Sequence, residues 1–207
     1  MSQQVNQRPT IAIDIDDVLA DNAKGFVEFS NQRWGTSLEV GDYNEHWAKI
    51  WQVDNAETDR RANAFNEAHV VLTYNHDPSA IKALNKLKDN FNLIIVTARR
   101  LQTKGDTLVW VKEHYPGIFE DDQIHFAGIW DDIDDGSVSR TKADLMKDLG
   151  VDYLIDDQLK HCIGAASFGV QAILFGNYSW NQADYMPENI RRVEDWAGVL
   201  RYFDGIV

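Results

Sequence analysis

The sequence predicts an α/β protein, a Rossmann-like doubly wound parallel sheet with a helical segment inserted directly after its first strand. Three observations carry this reading. Four short apolar runs (Ile11-Ala12-Ile13, Leu93-Ile94-Ile95-Val96, Tyr153-Leu154-Ile155 and Ala172-Ile173-Leu174-Phe175) are continuous rather than alternating, as strands covered on both faces must be. Amphipathic helical stretches separate them, which is the βα rhythm of a parallel sheet. Residues 18–76 break that rhythm with helical patterns, many aromatics and no strand-like run.

In chain order, Ala23, Phe26, Val27, Ser30 and Trp34 describe a helix that ends at Gly35. Asp54 through Val70 reads as a second, with Asp54 and Glu57 at capping-box spacing. Asp77-Pro78 is a cap followed by proline at the first helical position, and Ile81, Leu84 and Leu87 mark the apolar stripe behind it. Trp110 reads as core of the next helix. Gln123-Ile124-His125-Phe126-Ala127 makes a fifth, less apolar strand, and Asp131-Asp132-Ile133-Asp134-Asp135 a solvated acidic loop. Ser139 can cap a helix bearing Leu145, Met146 and Leu149 with Gly150 as its terminator. Asp157 stands where a cap belongs for the helix carrying Leu159, Cys162, Ile163 and Ala166.

The 207 residues amount to roughly 1.4 domains at about 150 residues each, which suits a core of residues 8–17 and 77–207 carrying a helical cap over residues 18–76. Lys and Arg number 20 against 33 Asp and Glu, a formal charge of −13. Polymeric nucleic acid is bound by cations that neutralise its phosphates, so this balance excludes DNA or RNA as partner while leaving room for one small phosphorylated molecule. A membrane partner is excluded too, because no apolar run approaches the ~18 residues of a bilayer span. The opening Met1-Ser2-Gln3-Gln4-Val5-Asn6-Gln7 lacks the apolar stretch of a signal peptide, and a cytoplasmic location is expected. Cys162 is the single cysteine, lies on an apolar stripe and reads as core.

Ligands of open α/β sheets bind beyond the carboxyl ends of the strands, so the residues at those ends matter most. The first strand runs into Asp14-Ile15-Asp16, whose acids, two apart on an extended chain, share a face. The Leu93–Val96 run continues into Thr97-Ala98-Arg99, the Tyr153–Ile155 run into Asp156-Asp157, and Lys142 falls in the first turn of a helix. So many carboxylates in one crevice repel unless a divalent cation sits among them. A lysine at a helix N-terminus opposes the macrodipole unless an anion binds there. A metal and a phosphate remove both objections. No phosphate-binding Gly-x-x-x-x-Gly-Lys loop, Gly-x-Gly-x-x-Gly fingerprint or His-Glu-x-x-His motif competes with this reading.

Asp14-Ile15-Asp16-Asp17-Val18, Val96-Thr97-Ala98-Arg99, Lys142 and Ile155-Asp156-Asp157, in that order, resemble the four motifs of the haloacid dehalogenase (HAD) superfamily of phosphatases. The insertion after the first strand, the Thr-Ala-Arg form of motif two, and Ile173-Leu174-Phe175 followed by Asn177-Tyr178-Ser179-Trp180-Asn181 are similar to the 5'(3')-deoxyribonucleotidase branch and its bacterial relatives. Motif one departs from the usual pattern in carrying Asp17 where glycine is common.

The resemblance implies a Mg²⁺-dependent phosphomonoesterase acting on a small phosphorylated metabolite, a (deoxy)nucleoside 5'-monophosphate first among them. Asp14 is then the nucleophile and Asp16 the acid and base. The metal falls to Asp14, the Asp16 carbonyl and Asp157, and the phosphate to Thr97, the Ala98 amide and Lys142, with Asp156 behind them orienting Lys142. Arg99 is either an anion contact or a salt bridge to a neighbouring helix. The aromatics of the insertion are first its core, and Phe26, Trp47 and Trp51 are candidates to stack on a base. Two alternatives stay open: the same chemistry, or phosphoryl transfer, on a sugar phosphate or other small metabolite, and a non-catalytic metal- or nucleotide-binding or receiver-like module. A receiver's phosphorylated aspartate ends the third strand, where this chain has Ala127-Gly128. The oligomeric state is left open, a homodimer among the options.

Overall fold

A computed structural model describes residues 8–127 and 141–206. Six strands form one parallel sheet: β1 (Thr10–Ile13), β2 (Asn92–Thr97), β3 (Ile124–Phe126), β4 (Tyr153–Asp156), β5 (Gln171–Phe175) and β6 (Ile190–Val193). Their order is β3-β2-β1-β4-β5-β6. The chain winds outward on one side of β1 and then crosses to β4 on the other, so the topological switch point lies between β1 and β4, where a crevice opens. The sixth strand is a difference from the sequence expectation. Its Ile-Arg-Arg-Val buries only the two end residues, and an edge strand with one covered face carries no continuous apolar run.

The helices are α1 (Asn22–Trp34), α2 (Trp47–Trp51), α3 (Asn55–Glu67), α4 (Pro78–Leu87), α5 (Lys104–His114), α6 (Lys142–Asp148), α7 (Leu159–Ala166) and α8 (Trp196–Asp204). Alternate strand residues face opposite layers. Ile11, Ile13, Ile155 and Ile173 join one apolar cluster with Leu84, Trp110, Trp196 and Phe203, whereas Ala12, Leu154, Ala172 and Leu174 join a second with Met146, Cys162 and Ala165. Helices α4, α5 and α8 thus cover one face and α6 and α7 the other. No helix among the described residues is long and apolar enough to cross a membrane.

Residues 18–76 hold α1, α2, α3 and two short 3-10 turns, Val40–Asp42 and Val70–Thr73, and no strand beyond isolated bridges at Ala20. Their core is aromatic: the buried Phe26 ring meets Tyr43, Trp47, Trp51 and Phe65 at centroid distances of 5.0 to 5.8 Å. This core is continuous with the Ile11 face of the sheet. Buried side chains of α5, its C-cap and α8 hold both ends of residues 18–76. Trp196 Nε1 donates to the Val18 carbonyl (3.2 Å), Tyr115 Oη to that of Leu19 (2.7 Å), and Trp110 Nε1 to that of Tyr74 (2.9 Å).

Local signals account for most boundaries. Gly35 ends α1 with φ 66°, and Asp77 accepts from Ser79 N with Pro78 at the first helical position of α4. Three differ from expectation. Helix α3 stops at Glu67 because His69 turns left-handed, and Glu57 pairs with Arg60 and Arg61 instead of closing a box with Asp54. Helix α6 is capped by Thr141 in a reciprocal pair with Asp144, while Ser139 and the acidic loop at Asp131–Asp135 lie outside the described residues. Asp157 does not cap α7; Gln158 takes that position.

Candidate active site

The crevice is floored by the chain leaving β1 and β4. Asp14 N donates to the Ile155 carbonyl at 2.9 Å, extending the ladder one residue beyond β1 and setting the Asp14 side chain beside Asp156 and Asp157. The backbone then turns sharply. Val18, Leu19 and Ala20 N all point at the Ile15 carbonyl, and Asp17 N donates to the Ala20 carbonyl. Asp17 sits at φ 56°, the left-handed region that glycine favours but that Asp tolerates when its side chain bonds locally. Here Ala23 N donates to Asp17 Oδ1 (2.9 Å), and Tyr178 Oη donates to its carbonyl (2.9 Å). The unusual residue of motif one thus keeps the glycine-like turn.

Lys142 opens α6 and is 1% exposed. Its Nζ lies 2.8 Å from Asp14 Oδ1 and 2.6 Å from Asp156 Oδ2. The directed hydrogen bond goes to Asp156, and Asp14 Oδ1, though close to the ammonium, accepts none. Asp156 also accepts from Gln158 N at 2.8 Å and meets His161 Nδ1 at 3.3 Å. Burial raises its pKa, but Lys142 and His161 overcome this and hold the carboxyl well below the usual range. Asp14 goes the other way, to about 6, because burial and the neighbouring Asp156 and Asp16 outweigh Lys142. Asp157 is pushed well up by burial and by Asp156, Asp17 and Asp14.

Arg99 forms a salt bridge to Asp16, at the end of β1 rather than on a neighbouring helix. Its Nε reaches Asp16 Oδ1 and Oδ2 at 3.0 and 3.2 Å, and Nη2 reaches Oδ1 at 2.6 Å. Its Nη1 donates to Thr107 Oγ1 on α5 at 3.1 Å. Thr97, fully buried, accepts from Arg99 N at 3.2 Å.

Over these residues lies a cavity of about 280 Å³ whose lining includes Asp14, Asp16, Asp157, Ala98 and Arg99 from the strand ends and Tyr43, Trp47, Phe65 and Tyr74 from residues 18–76. Thr97 and Lys142, 0% and 1% exposed, do not line it. Of the candidate stacking residues only Trp47 lines the cavity; Phe26 (0% exposed) and Trp51 (5%) belong to the aromatic core behind it. Asn22 beside Asp17 and Thr107 beside Arg99 carry no local sign of the site, and Tyr178 and Trp180, although part of the Asn177–Asn181 resemblance, had no role in it until the fold set them on Asp17 and Asp157.

Carboxylate oxygens of Asp14, Asp156 and Asp157 lie within 4.8 Å of one another. Asp14 Oδ1 has the Lys142 ammonium beside it but no directed hydrogen bond, and with the all-oxygen donor set, free of thiolate, this fits a hard divalent cation.

A parallel sheet whose switch point gathers these acids, a buried lysine and a strand-end threonine defines a phosphatase of the HAD superfamily, a phosphoric monoester hydrolase. Residues 8–132 match the family model described as 5' nucleotidase, deoxy (pyrimidine), cytosolic type C protein, and the chain belongs to that family. Solved structures agree on the fold. A HAD-like hydrolase of Streptococcus pneumoniae superposes with TM-score 0.69 at 18% identity, covering 95% of this chain and 98% of its own. A phosphatase-like protein of Clostridium acetobutylicum, described as predicted, gives 0.67 at 18%, covering 97% and 100%. A HAD family hydrolase of Deinococcus radiodurans, solved with phosphate and sodium, gives 0.64 at 13%, covering 96% of each chain. No curated protein matches the chain.

Proposed function

We propose that this phosphatase hydrolyses a nucleoside monophosphate, a deoxynucleoside 5'-monophosphate first among them, with Mg²⁺ as cofactor and through an aspartyl-phosphate on Asp14. The observation that carries the reading is the two-ended cavity, with carboxylates and Arg99 at its floor and Tyr43, Trp47 and Phe65 at its roof. An acidic floor with a cation accepts a phosphate, and an aromatic roof accepts a flat base. The family match points the same way.

In this reading the Asp14 carboxylate attacks phosphorus and is held in place by Lys142, 2.8 Å away. Asp16, gripped by Arg99, protonates the leaving oxygen and later takes the proton of the hydrolytic water. Ala98, which lines the cavity at the end of β2, offers its amide to the phosphoryl group, Thr97 behind it holds the turn by accepting from Arg99 N, and Lys142 beside Asp14 supplies positive charge. Asp14, the Asp16 carbonyl and Asp157 would hold Mg²⁺, which supplies neutralising charge for the phosphoryl oxygens. Asp156 serves by fixing Lys142. A nucleotide substrate and a buried free thiol, Cys162, fit the reducing cytoplasm, where we place the protein.

Phosphate release from a panel of ribo- and deoxynucleoside monophosphates and sugar phosphates, with and without Mg²⁺, tests this. Nucleotides should lead the panel, and Asp14→Asn should abolish turnover. Faster hydrolysis of sugar phosphates would overturn the substrate, and full activity in Asp14→Asn would overturn the nucleophile.

A further inference from the structure

After the Gly176 corner that follows β5, a short loop reaches Asp157 at the candidate cation site, where Lys142 touches Asp14 and Asp156. Tyr178 and Trp180 stack face to face, with centroids 4.6 Å apart and planes at 4°. Tyr178 Oη is fixed by the Asp17 carbonyl at 2.9 Å. Asn181 Nδ2 donates to the carbonyls of Asp157 (3.1 Å) and Phe175 (3.0 Å), and Arg192 Nη1 donates to Asn181 Oδ1 at 2.8 Å. Tyr43 from the insertion packs its ring at 71° to that of Trp180, 5.4 Å away. The indole is therefore clamped on a face and on an edge, and its single donor is aimed: Trp180 Nε1 donates to Asp157 Oδ2 at 2.6 Å. Gln158 Nε2 donates to the same oxygen at 2.9 Å.

We propose that Trp180 is a positioning residue for the cation site: its indole N–H, with Gln158, holds Asp157 by one carboxylate oxygen and reserves the other for the metal. The proposal rests on the reading of Asp14 and Asp157 as cation ligands. An indole N–H donates and cannot accept, so its bond is made to a carboxylate lone pair and lost when that lone pair is covered. A carboxylate anchored at one oxygen offers the other in a single orientation, which removes rotational freedom that the cation would otherwise have to quench. Donors of this kind behind a metal ligand change affinity by about 10- to 100-fold when removed. A purely structural Trp180, packed on Tyr178 and Tyr43, predicts no such change as long as the ring remains.

Trp180→Phe separates the two, because it keeps a stacking ring and deletes the N–H. Isothermal titration of the chelator-stripped protein with MgCl₂ should give a Kd about 10- to 100-fold higher in Trp180→Phe than in the wild type, with activity recovering as Mg²⁺ is raised to saturation. An unchanged Kd in a folded Trp180→Phe overturns the positioning role while leaving the cation site intact. A wild type that takes up no Mg²⁺ overturns the site itself, and the positioning role with it. Should Trp180→Phe fail to fold, the ¹⁵N-indole spectrum of the wild-type chain with its 7 tryptophans decides. One indole signal must move both on Mg²⁺ addition and in Asp157→Asn, and the lack of any such signal overturns the proposal.

Discussion

Lys142 Nζ and Asp156 Oδ2 stand 2.6 Å apart, with the two side chains 1% and 0% exposed. An ammonium buried this deeply is held in charge by its carboxylates, and burial alone would push its pKa down. Removing one partner of such a pair leaves an uncompensated buried charge. Lys142→Met should therefore cost about 3–5 kcal/mol in urea denaturation as well as abolishing turnover. A loss under about 1 kcal/mol would show that Asp14 and Asp156 neutralise themselves by taking up protons instead.

Arg99 holds Asp16 by a fork and Thr107 by its remaining nitrogen. A lysine offers one point charge and cannot meet both oxygens and the hydroxyl. Arg99→Lys should lower kcat by about 10-fold or more, within the range that a misplaced acid–base group loses, with KM little changed. A raised KM at constant kcat would mean that Arg99 binds substrate directly.

Phe26 and Trp47 lie 5.0 Å apart in one aromatic cluster yet should respond differently. Phe26→Ala should cost about 3–5 kcal/mol of stability as a fully buried core ring. Trp47→Ala, at the cavity wall, should instead raise KM for a nucleotide about 10-fold or more, the size of one lost base-stacking contact of about 1–3 kcal/mol. Equal KM in Trp47→Ala and wild type would place the base elsewhere.

Proton and cation compete for Asp14, whose pKa burial lifts to about 6, and for Asp157, which burial also pushes up. A carboxyl with a raised pKa is protonated below that value and must lose its proton to bind metal. Mg²⁺ affinity should thus fall as pH drops from about 7.5 to 5.5, with protons released on binding. Titrations in buffers of different ionisation enthalpy measure that release. Affinity independent of pH would remove Asp14 from the ligand set.

Gly176 has φ 77°, and a Cβ there would clash with the Tyr178 ring. Gly176→Ala must push Tyr178 off the Asp17 carbonyl and disturb the Trp180 stack. We expect a loss of about 1–3 kcal/mol and weaker Mg²⁺ binding, read by thermal melts with and without the metal. A melting profile identical to wild type would show that the loop relaxes without cost.

Much of this protein was written locally. Continuous apolar runs mark β1, β2, β4 and β5 because strands covered on both faces cannot alternate, and acids and hydroxyls at their ends mark the crevice because ligands meet parallel sheets there. Asp77-Pro78 and Gly35 mark helix ends because backbone geometry at caps is a matter of a few neighbouring residues. The edge strand β6 escaped because half-covered edges carry no such run. What only the tertiary structure decided is which partner each charged side chain takes. Nothing near Arg99 in the chain points to Asp16, the carboxylate it pairs with, 83 positions away. Trp180 shows no sign of its partner until the loop that follows β5 sets its N–H on Asp157, at the end of β4. Composition and periodicity determine what must be buried, while the pairing of polar groups across a switch point depends on distances that exist only once the sheet has closed.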